Sequence, residues 1–316
     1  MGVKLMVMAL AGVSLAGCAC LKNCNDPVVG NWGLKLPFDS MNAGHMIVSR
    51  GNDGRANAKI LWRWASPTMA KSCEVNGNAF SIDRGDFVLK GSVIGDALSG
   101  EAFVGSKCIG KVIGWRNPEI EVANTADAKF GEPIDLLRDG LAGWATMNPK
   151  AKFGWSFKDG VLSNCLGLKA DGSWAGGGAN LVSKRADFYD FNLEYDVRVP
   201  KGSNSGVYLR GRYEIQVVDS YGAKVDCHNM AAYYGRVTPS VAAEKPAGEW
   251  QHVNVTLYKR HLTVVLNGVK IIDNAPVVGI TGGAIDAYEF VPGPIYLQGD
   301  HSDADYKNMI LRPVVK

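Results

Sequence analysis

The chain has 316 residues, enough for about two domains. Its 47% hydrophobic and 21% charged shares match ordinary globular usage and exclude global disorder. A net charge of +3, from 34 basic and 31 acidic side chains, is too balanced to argue for nucleic acid as a partner.

The N-terminus reads as an address. Lys4 precedes an apolar stretch from Leu5 to Ala16, which is too short for a stable membrane span. Leu15-Ala16-Gly17-Cys18 resembles a bacterial lipobox. That resemblance implies a signal peptide over 1–17, cleavage before Cys18, lipidation of its sulfur and a tether over 18–25. With Ala19 rather than Asp after the cysteine, the expected location is the cell envelope, at the outer membrane, held by the lipid alone. An oxidising compartment permits disulfides, and Cys73 with Cys108 is a candidate pair.

Residues 26–123 are expected to form a small all-β domain. Short apolar or alternating runs recur there, such as His45-Met46-Ile47-Val48 and Ala58-Lys59-Ile60-Leu61-Trp62, split by Gly, Asn, Asp and Pro. Gly30-Asn31-Trp32 resembles the first strand of lipocalin-like barrels; a Trp packing the floor of any small β domain reads the same way. A polar linker is expected over 124–133, and a second all-β domain over 134–316. In that domain Phe191, Leu193, Tyr195, Val197 and Val199 alternate with Asn192, Glu194, Asp196 and Arg198, the pattern of a strand with one wet face. Asn267-Gly268 between apolar runs predicts a type I′ hairpin. The pattern predicts a β-sandwich of jelly-roll type.

Asn204 to Tyr221 reads as one strand. With period two, Leu209, Tyr213, Ile215 and Val217 share one face, and Arg210, Arg212, Glu214 and Gln216 the other. Neighbours on a face lie ~7 Å apart, so two guanidinium groups, a carboxylate and an amide would form a polar ribbon. A solvated outer face has the same pattern, but these bidentate groups suit a polyhydroxylated or carbonyl ligand better.

This run, from Asn204-Ser205-Gly206 to Asp219-Ser220-Tyr221-Gly222, resembles the signature of the 3-keto-disaccharide hydrolase-like domain. So do Asp139-Gly140-Leu141-Ala142-Gly143-Trp144, Tyr234-Gly235-Arg236-Val237-Thr238-Pro239-Ser240, Lys245-Pro246-Ala247-Gly248-Glu249-Trp250-Gln251 and the closing Gly293-Pro294-Ile295-Tyr296-Leu297-Gln298-Gly299-Asp300-His301. The resemblance spans 134–316. It implies a concanavalin A-like sandwich and cleavage of glycosides already oxidised at C3, by removal of the C2 proton and elimination at C1, with or without hydration. A separate oxidoreductase would supply the keto sugar.

Under this resemblance Arg210 and Arg212 are candidates to hold the enolate oxygen or sugar hydroxyls, and Glu214 or His301 is the candidate base. Gln216, Asp219, Tyr221, Tyr234, Lys245, Gln298 and Asp300 are candidate substrate contacts. His301 with Glu214 or Asp300 could instead bind a divalent metal. Glu194-Tyr195-Asp196 opens the Glu-x-Asp-x-x-Glu pattern of two-carboxylate glucanases, but Val199 stands where the second Glu belongs. The alternative function is a carbohydrate-binding lipoprotein without chemistry.

Overall fold

The computed structural model describes residues 26–315. The expected signal peptide, Cys18 and the expected tether lie outside them. Among the described residues the chain is almost wholly strand and loop, with two short 3-10 turns at Thr125–Asp127 and Gly140–Gly143. No helix there is long and apolar enough to cross a membrane.

The first nine strands, from Gly30–Lys35 to Lys107–Arg116, form one antiparallel sheet. Strands pair with their chain neighbours except the fourth and fifth, Trp64–Met69 and Ser72–Asn76, which are the edges, and the first also pairs with the ninth. The edge strands follow each other in the chain, so the meander curls around a core that includes Leu34, Met46, Val48, Ile60, Ile82 and Leu89. Trp32 is fully buried in that core. Its indole N–H donates to the Val28 carbonyl at 2.9 Å, and the Arg116 guanidinium covers its ring. Cys73 and Cys108 are both free thiols, contrary to the expected pairing. Cys73 lies on the fifth strand and Cys108 on the ninth, four positions apart in the sheet. Neighbouring strands sit ~4.8 Å apart, whereas a disulfide needs Cα atoms within ~7 Å.

The rest of the chain forms two sheets packed face to face. The larger has eight strands, including Phe191–Arg198, Gln251–Tyr258, His261–Leu266 and Ala304–Pro313. The smaller has five: Trp144–Thr146, Leu181–Ser183, Tyr296–Leu297, Asn204–Leu209 and Tyr213–Val218, in that spatial order. Leu193, Tyr195, Val197, Val255 and Val264 of one sheet share a core with Val207, Leu209, Ile215, Val217 and Leu297 of the other. This is the jelly-roll sandwich that the alternation predicts. The hairpin at Asn267-Gly268 has both residues at positive φ, 51° and 84°, as a type I′ turn requires. Asn192, expected on the wet face, is buried and donates to Asn254 Oδ1 at 2.7 Å.

A further expectation is corrected. Asn204 to Tyr221 contains two strands rather than one. Arg210-Gly211-Arg212 is the turn between them, with Arg210 and Gly211 at φ 53° and 67°. The turn takes both arginines out of the ribbon, while Glu214 and Gln216 pair with Tyr208 and Gly206 across the hairpin.

The curled sheet sits against the sandwich through a buried polar network. Glu289 is fully buried; its Oε1 accepts from Asn117 Nδ2 at 2.6 Å and faces His45 Nε2 at 3.6 Å. Its Oε2 lies 3.2 Å from Arg260 Nη2 and from the Tyr213 hydroxyl. Beside it, Trp115 stacks on Tyr288 with ring centres 4.2 Å apart.

Candidate functional site

A row of side chains crosses three neighbouring strands of the smaller sheet. Tyr296 stands opposite Tyr208, and Tyr208 stands opposite Glu214. The two tyrosine rings stack at 4.2 Å and 15°. Glu214 fits because Gly206 is its diagonal neighbour: a Cβ there would lie 2.5 Å from Glu214 Oε1. Gly283 makes the same room for the Tyr208 hydroxyl.

Tyr208, Glu214 and Tyr296 floor an open cleft of about 460 Å3, counting space open to solvent. Asn204, Tyr234, Gln298, Asp300 and His301 also line it, with Met41, Trp64 and Ala65 from the curled sheet. A second hollow, lined by Arg185, Asp187, Tyr189 and Lys259, gathers no comparable set of acid, base and amide groups.

Burial pushes the Glu214 carboxyl up to about 8; the Tyr208 hydrogen bond opposes the shift and the Asp300 charge adds to it. The local geometry agrees with a neutral acid. The Tyr208 hydroxyl lies 2.9 Å from Glu214 Oε2 and 2.8 Å from the Gly282 carbonyl. A tyrosine has one proton to donate, and a carbonyl can only accept. Tyr208 can serve both partners when it donates to Gly282 and accepts the Glu214 proton.

Across the cleft, His301 Nδ1 lies 2.6 Å from Asp300 Oδ1. That hydrogen bond raises the imidazole above its ordinary value, against the effect of burial. Burial would raise Asp300, but the His301 contact and the Asn180 amide outweigh it and hold the carboxyl low. His301 Nε2 has no hydrogen-bond partner among the described residues. This is an imidazole oriented by a carboxylate with its second nitrogen left for a proton. Asn204 Oδ1 and Gln298 Oε1 are buried acceptors without a protein partner, suited to hydroxyl groups.

Of the residues expected from sequence, Glu214, His301, Asp300, Gln298 and Tyr234 lie on the cleft. The others lie elsewhere. Arg210 is fully buried and donates to the Tyr213 hydroxyl at 2.7 Å and the Glu289 carbonyl at 2.6 Å. Arg212 grips Asp286 through two bonds of 2.6 and 2.9 Å and donates to three backbone carbonyls. Both are tied into the fold and neither lines the cleft. Gln216 is buried with its Oε1 accepting from the Val217 N–H. Asp219 accepts from the Gly202 N–H, Lys245 Nζ donates to the Trp250 carbonyl, and Tyr221 is exposed. Glu194 and Asp196 contact Asn254 and His252 on the larger sheet, apart from the cleft.

The metal expectation can be tested on the donors. Among the described residues, the group of three donors whose ligand atoms all lie within 4.8 Å of one another is Asp226, Cys227 and His228. Glu214, Asp300 and His301 form no such group. Glu214 favours its protonated form, and Asp300 Oδ1 is engaged by His301. Among the described residues the cleft therefore presents no ready set of three metal ligands.

Sequence reading missed Tyr208, Tyr296, Asn204, Met41 and Trp64. A three-residue hairpin loop around Gly211 would have paired Tyr208 with Glu214. No sequence signal places Met41 or Trp64 beside residues more than 130 positions away.

Two crystal structures of Parabacteroides distasonis proteins assigned as glycosyl hydrolases are similar at 25% and 19% identity. The first match covers 58% of this chain and 84% of the other, with a TM-score of 0.45; the second covers 60% and 95%, with a TM-score of 0.46. A carbohydrate-binding module from Bacillus subtilis is 15% identical over 54% of this chain and 95% of its own, with a TM-score of 0.36. No curated protein matches. The family model of the 3-keto-alpha-glucoside-1,2-lyase-like domain matches residues 133–312, more than half of the chain. The chain belongs to that carbohydrate-active family.

Proposed function

We propose that the cleft cleaves glycosides carrying a ketone at C3, by elimination. The carrying observation is a neutral carboxylic acid, Glu214, in one cleft with a carboxylate-oriented imidazole, His301. An adjacent carbonyl acidifies the C2 proton. His301 Nε2 takes that proton, and its electron pair moves into an enediolate that extends to the C3 oxygen. The enediolate then collapses: the C3 carbonyl re-forms, a C1–C2 double bond forms, and the C1–O bond breaks. Glu214 gives its proton to the departing oxygen. Addition of water to the enone would complete a net hydrolysis. Tyr234 and the amides of Asn204 and Gln298 supply hydrogen bonds for the C3 oxygen and ring hydroxyls. Such a base and such an acid are each worth ~10²–10⁴-fold.

A neutral Glu214 is a poor nucleophile, which weighs against an ordinary retaining glycosidase. A separate oxidoreductase would supply the ketone. The test compares nitrophenyl 3-keto-glucoside with the unoxidised glucoside, with and without chelator. Release from the keto compound alone is expected, with Glu214→Gln and His301→Ala each slowed at least a hundredfold. Saturable sugar binding with no release from either compound would leave a carbohydrate-binding protein and refute the enzyme.

A further inference from the structure

The curled sheet supplies part of the cleft wall, although it lies outside the family match at 133–312. The contributing segment, Trp62–Ser66, runs from the end of the third strand, Ala56–Trp62, through Arg63 into the fourth and is held firmly. Arg63 and Ala65, on either side of Trp64, both adopt positive φ, 68° and 59°, which non-glycine residues hold only when surroundings enforce it. The Gly283 N–H donates to the Arg63 carbonyl at 2.8 Å. Gly282 permits the approach, because a Cβ there would lie 2.5 Å from the Ala65 carbonyl oxygen. Ser66 Oγ contacts His228 Nε2 at 2.7 Å, and His228 in turn packs edge-on against Tyr234 of the cleft. The Arg63 guanidinium lies over Phe38 and Trp64 and donates to the Met41 carbonyl at 3.0 Å.

Fixed in this way, Trp64 lines the cleft and is 49% exposed overall. A large aromatic held in a strained, anchored turn and left half bare has a flat apolar surface to offer. Beside it run the polar groups of the floor. We propose that Trp64 forms a leaving-group subsite, stacking on a ring with an apolar face, sugar or aromatic, attached at C1 of the substrate. The subsite deepens the keto-glycoside reading and rests on it. The curled sheet would then select which glycosides are cleaved, while the sandwich carries the acid and base.

The experiment measures kcat/KM of the full chain, Trp64→Ala and Trp64→Phe on three 3-keto-glucosides, whose leaving groups are glucose, nitrophenol and methanol. Trp64→Ala should lose about tenfold on the two ring leaving groups and change less than about twofold on methanol. Trp64→Phe, which keeps a flat ring, should recover most of the loss. A loss confined to glucose or to nitrophenol would say which ring the subsite serves. Equal losses on all three compounds, or no loss on any, would overturn the subsite. A second arm needs no turnover: calorimetry with unoxidised glucose disaccharide and methyl glucoside. Weaker disaccharide binding in Trp64→Ala, with methyl glucoside unaffected, supports the subsite even where no keto compound is cleaved and the catalytic reading has failed. Disaccharide binding that Trp64→Ala leaves unchanged, or no disaccharide binding at all, overturns it.

Discussion

At the scale of single residues, Glu214 sets stability and function against each other. Its carboxyl moves from 4.5 to about 8 on folding, chiefly through burial. The folded state therefore binds the proton more tightly than the unfolded chain does. That contribution is complete below pH 4.5 and is lost as pH rises to about 8. Glu214→Gln stays neutral, so denaturant titrations at several pH values should show it losing this pH dependence and becoming more stable than the parent near pH 8. The same substitution should abolish the alkaline limb of kcat/KM. On the acid side, Asp300 raises His301. Asp300→Asn should move the acid limb of the pH profile to lower pH, because the imidazole then gives up its proton more readily. An unmoved acid limb would separate the imidazole from the proton transfer.

At the scale of elements, the decisive feature is the hairpin of Asn204–Leu209 and Tyr213–Val218. Period-two reading correctly put Glu214 and Gln216 on one face, since alternation survives within each strand. It failed at Arg210 and Arg212 because a short turn breaks the count, and charged residues at a turn read like charged residues on a face. In the fold these arginines tie the turn to the Asp286–Pro292 segment. Arg212→Ala removes a bidentate ion pair and three carbonyl contacts from a site 3% exposed on the arginine side. It should cost about 3 kcal/mol in a denaturant titration, while the pH limbs of the folded variant stay in place. Asp300 and His301 were legible as candidates through the closing motif Gly293 to His301. Their hydrogen bond was not read from the sequence, which gave Asp300 as a substrate contact or metal ligand; nor was the raised Glu214, because burial cannot be read from a one-dimensional pattern.

At the scale of the whole molecule, both all-β units and the sandwich were legible from turn-rich alternation, while their contact was not. His45 and Glu289 are separated by more than 240 positions, and each looks like an unremarkable strand or loop residue in sequence. Folding places them in one buried network with Arg260. Burial, with Arg236 and Arg260 nearby, holds His45 well below its ordinary value and therefore neutral. A depressed histidine stabilises the fold above its unfolded value of 6.5, and the contribution is lost as pH falls below that. Glu214 gains stability over the same range, so the test is the difference between proteins: His45→Asn should gain melting temperature relative to the parent as pH falls from 7 to 5.

The elimination itself is tested most directly at C2. A 3-keto-glucoside carrying deuterium at C2 would be cleaved in ordinary water, and the sugar product examined for the label. Removal of the C2 proton requires the deuterium to be washed out and slows the isotopic substrate when that step limits the rate. Cleavage with deuterium retained at C2 would mean that the C1–O bond breaks without an enediolate, and it would contradict the roles assigned here to His301 and Glu214.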